Sequence, residues 1–357
     1  MHGERRGVVL LAAILVLLAL VTISSGLFVL GLQEVGIARA VEETLHARVA
    51  AESAVQAVTG EWSTSRYRSL EVGGRTRATP APVTPGAGAE VVAWVERLAG
   101  RLFLVRADAE LPSGTRATAA ALVRGLGEDE LWHAFPAAIT LAGETVIEPA
   151  ATVAGTDALE PPVPWTAREC PDKAAALLHE VLGTTEPPAV LRTGPDHLDR
   201  LGPLDRRTLS RIADRYETGS LRPAPATRGG ECDTAAPGNW GSPGDPAGPC
   251  GGYLPVIYAG GDLHLTGGEG QGLLVVAGNL VLSGDARFYG AVYVAGSVLL
   301  ADDARVHGAV VAVGAEVRLA DRSTVAYGAC PLWRAFTAAP AFDRAFAPAE
   351  RVWVPAP

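Results

Sequence analysis

Two adjacent acids and a histidine, Asp302, Asp303 and His307, are residue types that acid–base cleavage of a polysaccharide would need. That chemistry requires groups from different turns of a repeat to converge. These three lie in one short stretch, which reads as a solvated turn. His264 and His307 fall at unmatched positions of the repeat described below and read as surface residues. "GGEGQG" at 267–272 is glycine-rich, but no helix N-terminus follows to hold a phosphate, so it reads as a loop entering the next strand. No H-E-x-x-H, G-x-S-x-G or Walker pattern is present. The expectation is a protein with no catalytic residue, no metal and no cofactor.

The remaining chemistry belongs to four cysteines, Cys170, Cys232, Cys250 and Cys330, which form no C-x-x-C pair. A zinc ribbon or a thioredoxin-like motif is therefore disfavoured. In an exported body they allow two disulfides, with three connectivities. Cys232 and Cys250 bracket the Pro/Gly-rich "DTAAPGNWGSPGDPAG", a loop with little core of its own, and are expected to pair. Cys170 and Cys330 are the pair left over. Net charge is -9, and no basic run is longer than the pair Arg5-Arg6, which argues against nucleic acid as a partner.

Val8 to Leu32 contains no charged residue. At 1.5 Å per residue, such a helix spans a hydrocarbon core of about 30 Å. Arg5 and Arg6 precede it while Glu34, Glu42 and Glu43 follow, placing the N-terminus in the cytoplasm and the body outside. Ser24-Ser25-Gly26 is a candidate signal-peptidase site, but the apolar run resumes at Leu27, which favours a retained helix. Val35, Ala38, Val41, Leu45 and Val49, and after a gap of six Val55, Val58 and Trp62, recur at three- and four-residue steps, predicting an amphipathic continuation to about Trp62.

Residues 73–90 read as a linker by composition. "RLFLVRADAE" and "TRATAAALVRGL" predict two strands around the turn at Pro112-Ser113-Gly114. "AAITLAGETVIEPAATVAGTDA" is a set of short apolar stretches that reads as an entry portion of the repeat. "DKAAALLHEVL" and "DRRTLSRIADRY" predict two surface helices, each with a leading acid suited to the N-cap.

Gly260, Gly278, Gly296 and Gly314 are spaced by 18 residues. Val276/Val294, Leu282/Leu300, Asp285/Asp303 and Arg287/Arg305 coincide when the segments are aligned on them, with about two extra residues late in the last turn. Short apolar stretches with fixed glycines at this period predict coils of a parallel β-helix over 253–330. The four glycines are expected at corners that need positive φ.

The N-terminus resembles PilX-like type IV pilus assembly proteins. The resemblance rests on a basic leader ending in Gly7, a long apolar helix, its amphipathic continuation and "AESA" at Ala51–Ala54. The phrases "NWGSPGDPAGPC", "GQGLLVVAGNL" and "GAC" at 328–330 also resemble that family's β-helix head, while bactofilins match only the general coil pattern. The resemblance implies cleavage between Gly7 and Val8 by a prepilin peptidase. It further implies insertion in the inner membrane and partnership with other pilin subunits and the pilus assembly machinery. Ala12 stands where major pilins carry an acid, so the resemblance is to a minor pilin.

The expected fold is therefore α+β. A leader (1–7), a transmembrane helix (8–32) and its amphipathic continuation (33–72) come first. A linker (73–90), a mixed region (91–252), a parallel β-helix (253–330) and a tail (331–357) follow.

Overall fold

The computed structural model describes residues 4–78, 88–155, 170–184, 186–198, 200–337, 339–344 and 346–348. The first element is one unbroken helix, α1 (Glu4–Gly60). Leu, Val, Ala and Ile dominate its sequence, no proline interrupts it, and it is long and apolar enough to cross a membrane. From Ile14 to Val49 the described large apolar side chains are exposed.

Among the described side chains of α1, the buried ones lie in its last third. Ala47, Ala50, Ala51, Ala54, Val55, Val58 and Trp62 face an antiparallel sheet. The expected stripe holds for Val55, Val58 and Trp62, but Val35, Val41, Leu45 and Val49 lie on the opposite, exposed side. The face that docks is mostly alanine. Small side chains let the helix axis approach the alanines of the sheet, and a search for large apolar residues passes over them.

After α1 a short helix, α2 (Thr64–Arg68), leads into β1 (Arg75–Ala78), β2 (Glu90–Ala99), β3 (Leu102–Glu110) and β4 (Arg116–Gly125). All four pair antiparallel in chain order. The expected linker thus contains β1 and the first residue of β2, and residues 79–87 lie outside the described set. Trp62, Tyr67 and Phe103 form an aromatic cluster under the helix, with ring centroids 5.0–6.5 Å apart.

The chain then passes through α3 (Glu128–Trp132), β5 (Ile139–Leu141), β6 (Glu144–Ile147), β7 (Thr152–Ala154), α4 (Pro171–Leu182) and β8 (Val190–Arg192). It continues with α5 (Arg206–Ile212), β9 (Arg215–Leu221) and the small hairpin of β10 (Thr227–Arg228) and β11 (Glu231–Cys232). Asp205 caps α5 through a 2.7 Å bond from the Thr208 amide, as its position suggests. The N-cap of α4 is instead Cys170, because Pro171 occupies the first helical position and carries Asp172 inside the helix.

The second body is a thirteen-stranded sheet that curls around the main core. Its strands include β12 (Val256–Leu265), β13 (Glu269–Val276), β14 (Leu280–Leu282), β15 (Arg287–Val294) and β16 (Val298–Leu300). β17 (Arg305–Ala312), β18 (Glu316–Leu319) and β19 (Thr324–Tyr327) complete this stretch. All pairings in the sheet are parallel. Val276 opposes Val294, Leu282 opposes Leu300, and Arg287 opposes Arg305. The longer strands read as near-continuous apolar runs, as expected where both faces are covered. One extra residue enters the last repeat, and it enters early. Val294 pairs with Ala312, an offset of 18, whereas Val298 pairs with Val317, an offset of 19.

This sheet extends beyond 253–330 at both ends. β9 adds to β12 on one side. On the other, β5, β6 and β7 add to β17, β18 and β19, and β8 adds to β5. Residues 139–154 therefore join the repeat, but at its exit end. Their apolar spacing signals membership, while their place in the stack depends on which edge remains open once the later strands have paired.

The end of the chain ties the two bodies together. α6 (Ala329–Thr337) packs on β13, β15 and β17, α7 (Pro340–Arg344) reaches α2, and β20 (Phe346–Pro348) pairs with β4 as the fifth strand of the first sheet. Asp343 accepts bonds from Ser63 Oγ (2.7 Å), Ser65 N (2.6 Å) and Ser65 Oγ (2.9 Å). The expected tail is thus a clasp across the two bodies as far as Pro348.

Candidate functional site

Gly7 and Val8 lie in the opening turns of α1, on the end of the helix distant from the packed body. Ala51 and Ala54, the alanines of the "AESA" stretch, are fully buried on the sheet, so that stretch marks the point where the helix joins the body. The opposite side from Val35 to Val49 continues the apolar surface outward past the uncharged run.

Cys232 is bonded to Cys250, and Cys170 to Cys330. The first closes the Pro/Gly-rich loop and the second joins the start of α4 to α6. Two polar residues that the sequence reading overlooked organise the loop. Buried Asn239 donates through Nδ2 to Asp233 O (2.8 Å) and Ala226 O (3.2 Å), and accepts from the Gly241 amide (3.1 Å). Buried Gln271 donates to Gly251 O and Tyr253 O, each at 2.9 Å. Trp240 then seats its ring on Phe288 and donates to Glu217. Asn239 Nδ2 also lies 3.4 Å from Cys232 Sγ and 3.6 Å from Cys250 Sγ, so buried amides bonded to main chain and to the disulfide replace the core that this loop lacks.

The repeat glycines act differently from expectation. Gly260, Gly278, Gly296 and Gly314 do not take positive φ. A Cβ on Gly296 would lie 2.6 Å from Gly278 O, and one on Gly314 2.3 Å from Gly296 O. Close stacking of successive backbones excludes a side chain there. Gly260 is the exception, with only Tyr258 Cε1 near, at 3.8 Å. The positive-φ positions are a second row, Gly272, Gly290 and Gly308, at φ 109°, 135° and 146°. This row has the same 18-residue period, so its spacing was the signal that could have found it.

Asp302, Asp303 and His307 do not converge. Asp302, at φ 58°, accepts from the Gly284 amide at 2.8 Å, and its own amide donates to Asp321 Oδ2 at 3.0 Å. Asp303 is held by Arg322 through two bonds of 2.8 and 2.9 Å, which lower its pKa from the ordinary carboxylate range. These are corner ladders that satisfy main-chain amides between neighbouring strands.

His307 is not the surface residue that was expected. Its ring stacks on Tyr289 at 4.9 Å and 11°, and its Nε2 is buried without a hydrogen-bond partner. Burial first, then the charges of Arg305 and Arg287, push its pKa down to about 4, so the ring is neutral at pH 7. His264 is half-buried and shares a 2.8 Å bond with Ser283 Oγ.

Among the described residues, no group of His, Cys, Asp and Glu side chains could hold a metal ion. Comparison with protein families, curated proteins and solved structures returns no match.

Proposed function

We propose that this chain is a PilX-like minor pilin subunit, anchored in the inner membrane by α1 and presenting its folded body outside. The observation that carries the reading is the division of labour along α1. From Ile14 to Val49 its described large apolar side chains are exposed, and Ala47, Ala50, Ala51, Ala54, Val55 and Val58 near its end, with Trp62 just beyond it, are buried on an antiparallel sheet. A helix so built partitions in a bilayer and then in a bundle of like helices, since both environments satisfy the same apolar surface. The exposed face from Val35 to Val49 lengthens the surface available to such a bundle. Without an acid at Ala12, the subunit lacks a charge to pair with a neighbour's new N-terminus. It is accordingly a scarce component, near the tip or in the initiating complex.

In this proposal the parallel sheet is one β-helix that serves as the head. Support comes from the near-constant offset of 17 to 19 residues in the pairs between β12 and β19. Each strand thereby meets the strand one repeat later.

The test is the mature N-terminus of membrane-associated protein in cells with an active prepilin peptidase. The reading expects Val8 as first residue, and Gly7→Ile should abolish that cut. A start at Met1 would leave an unprocessed anchored protein with the same head, and a start at Leu27 a secreted one. Either result overturns the pilin assignment.

A further inference from the structure

On the outer surface of the parallel sheet one row of side chains crosses four neighbouring strands. Arg287 on β15 opposes Arg305 on β17, Arg305 opposes Thr324 on β19, and Thr324 opposes Thr152 on β7. Their neighbours Phe288 and Val306 are fully buried and Val153 packs against the core, so strand alternation turns the row outward. At the usual spacing between strands, the four positions form a track about 14 Å long.

Two like charges directly opposite on adjacent strands destabilise a sheet unless something bridges them. The nearby corner acids are already engaged, Asp303 by Arg322 at 2.8 Å and Asp285 by Arg222 at 3.3 Å. Glu269 on β13 heads the same row, directly opposite Arg287 in register but outside ion-pair distance of it. Among the described residues, Arg287 and Arg305 have no carboxylate within 4.0 Å. Beside them Tyr289 and His307 stack in the adjacent row, followed by the small Ala326 and Ala154, which leave the Thr end of the track unobstructed. Beside this row, Nε2 of His307 is buried without a hydrogen-bond partner.

We infer that this row is a binding track for an acidic glycan, whose oxyanion groups the two guanidiniums hold while the threonine hydroxyls meet sugar hydroxyls. Paired guanidiniums suit carboxylate or sulfate, because each presents a planar fork of donors. A compact ion would satisfy the arginines but leave the threonines unused. A chain that alternates charged groups and hydroxyls fits the full length. The inference does not rest on the pilin reading, because it concerns only the outer face of the sheet.

Isothermal titration of the full chain in detergent tests it with four probes: an oligogalacturonate, a heparin-derived oligosaccharide, a neutral maltooligosaccharide and inorganic phosphate. The expected result is binding of one acidic oligosaccharide, which then identifies carboxylate or sulfate as the recognised group, with no binding of the neutral one. Arg287→Gln/Arg305→Gln should weaken it by about tenfold or more, in line with the loss of charge-assisted hydrogen bonds. Thr324→Val should weaken the oligosaccharide and leave phosphate unchanged. Arg318→Gln, which removes an ion pair with Glu148 on a different run of strands, should bind as the wild type does. Thermal midpoints equal to wild type establish that the variants are folded. The inference is overturned if neither acidic oligosaccharide binds, if the double variant binds equally well, or if phosphate alone matches the oligosaccharide.

Discussion

A methyl group placed on Gly290 would sit 2.1 Å from the carbonyl oxygen of Gly272, and the backbone there has φ 135°. Both facts forbid an L side chain, the first by contact and the second by conformation. Gly260, one of the four glycines that define the sequence period, meets only a ring carbon at 3.8 Å. Gly290→Ala should therefore lower unfolding stability by more than about 2 kcal/mol, as strained backbone positions do. Gly260→Ala should stay within about 0.5 kcal/mol of wild type. Denaturant unfolding of the two variants checks this, and equal stabilities would show that the glycine row is not what sets the close stacking of strands.

At the scale of elements, the contact between α7 and α2 depends on one carboxylate. Burial tends to raise the pKa of Asp343, but hydrogen bonds from Ser63 and Ser65 outweigh it and lower the pKa below the ordinary value. A depressed folded-state pKa means that the contribution to stability is complete above the unfolded value, about 3.9, and fades as pH falls through the folded one. Asp343→Asn should thus melt below wild type at pH 7. The gap should narrow as pH falls from about 4 towards 2. Thermal melts across that range measure it; a gap that is constant with pH would place the effect in packing and not in charge.

At the scale of the whole molecule, the two disulfides constrain very different lengths of chain. Cys170 and Cys330 are 160 residues apart, Cys232 and Cys250 only 18. In the chain-entropy account the long loop contributes about 5 kcal/mol and the short one about 3 kcal/mol. Cys170→Ser/Cys330→Ser is therefore expected to lower stability more than Cys232→Ser/Cys250→Ser, measured by denaturant unfolding of each variant. The reverse order would mean that the Pro/Gly-rich loop, with Asn239 and Gln271 inside it, limits the stability of the whole body.

The sequence by itself determined what depends on near neighbours. The uncharged run from Val8 to Leu32 lies in a helix because composition alone favours it, and the turn at Pro112-Ser113-Gly114 sits between β3 and β4. The 18-residue period fixed which residues pair, since Val276, Leu282 and Arg287 meet the partners that the alignment names. What only the tertiary structure decided depends on distant edges and faces. Alignment could not tell that residues 139–154 stack beyond β17, β18 and β19, because either open edge of a parallel sheet accepts a matching strand. Nor could helical periodicity tell which side of α1 docks, since α1 carries one apolar face of large residues and another of alanines. The sheet it meets is lined with Ala107, Ala109 and Ala119, and close approach selects the small face. The track on the outer surface is hidden for the same reason. Arg287, Arg305, Thr324 and Thr152 are separated along the chain by up to 172 residues, and only the stacking of four strands brings them into one line.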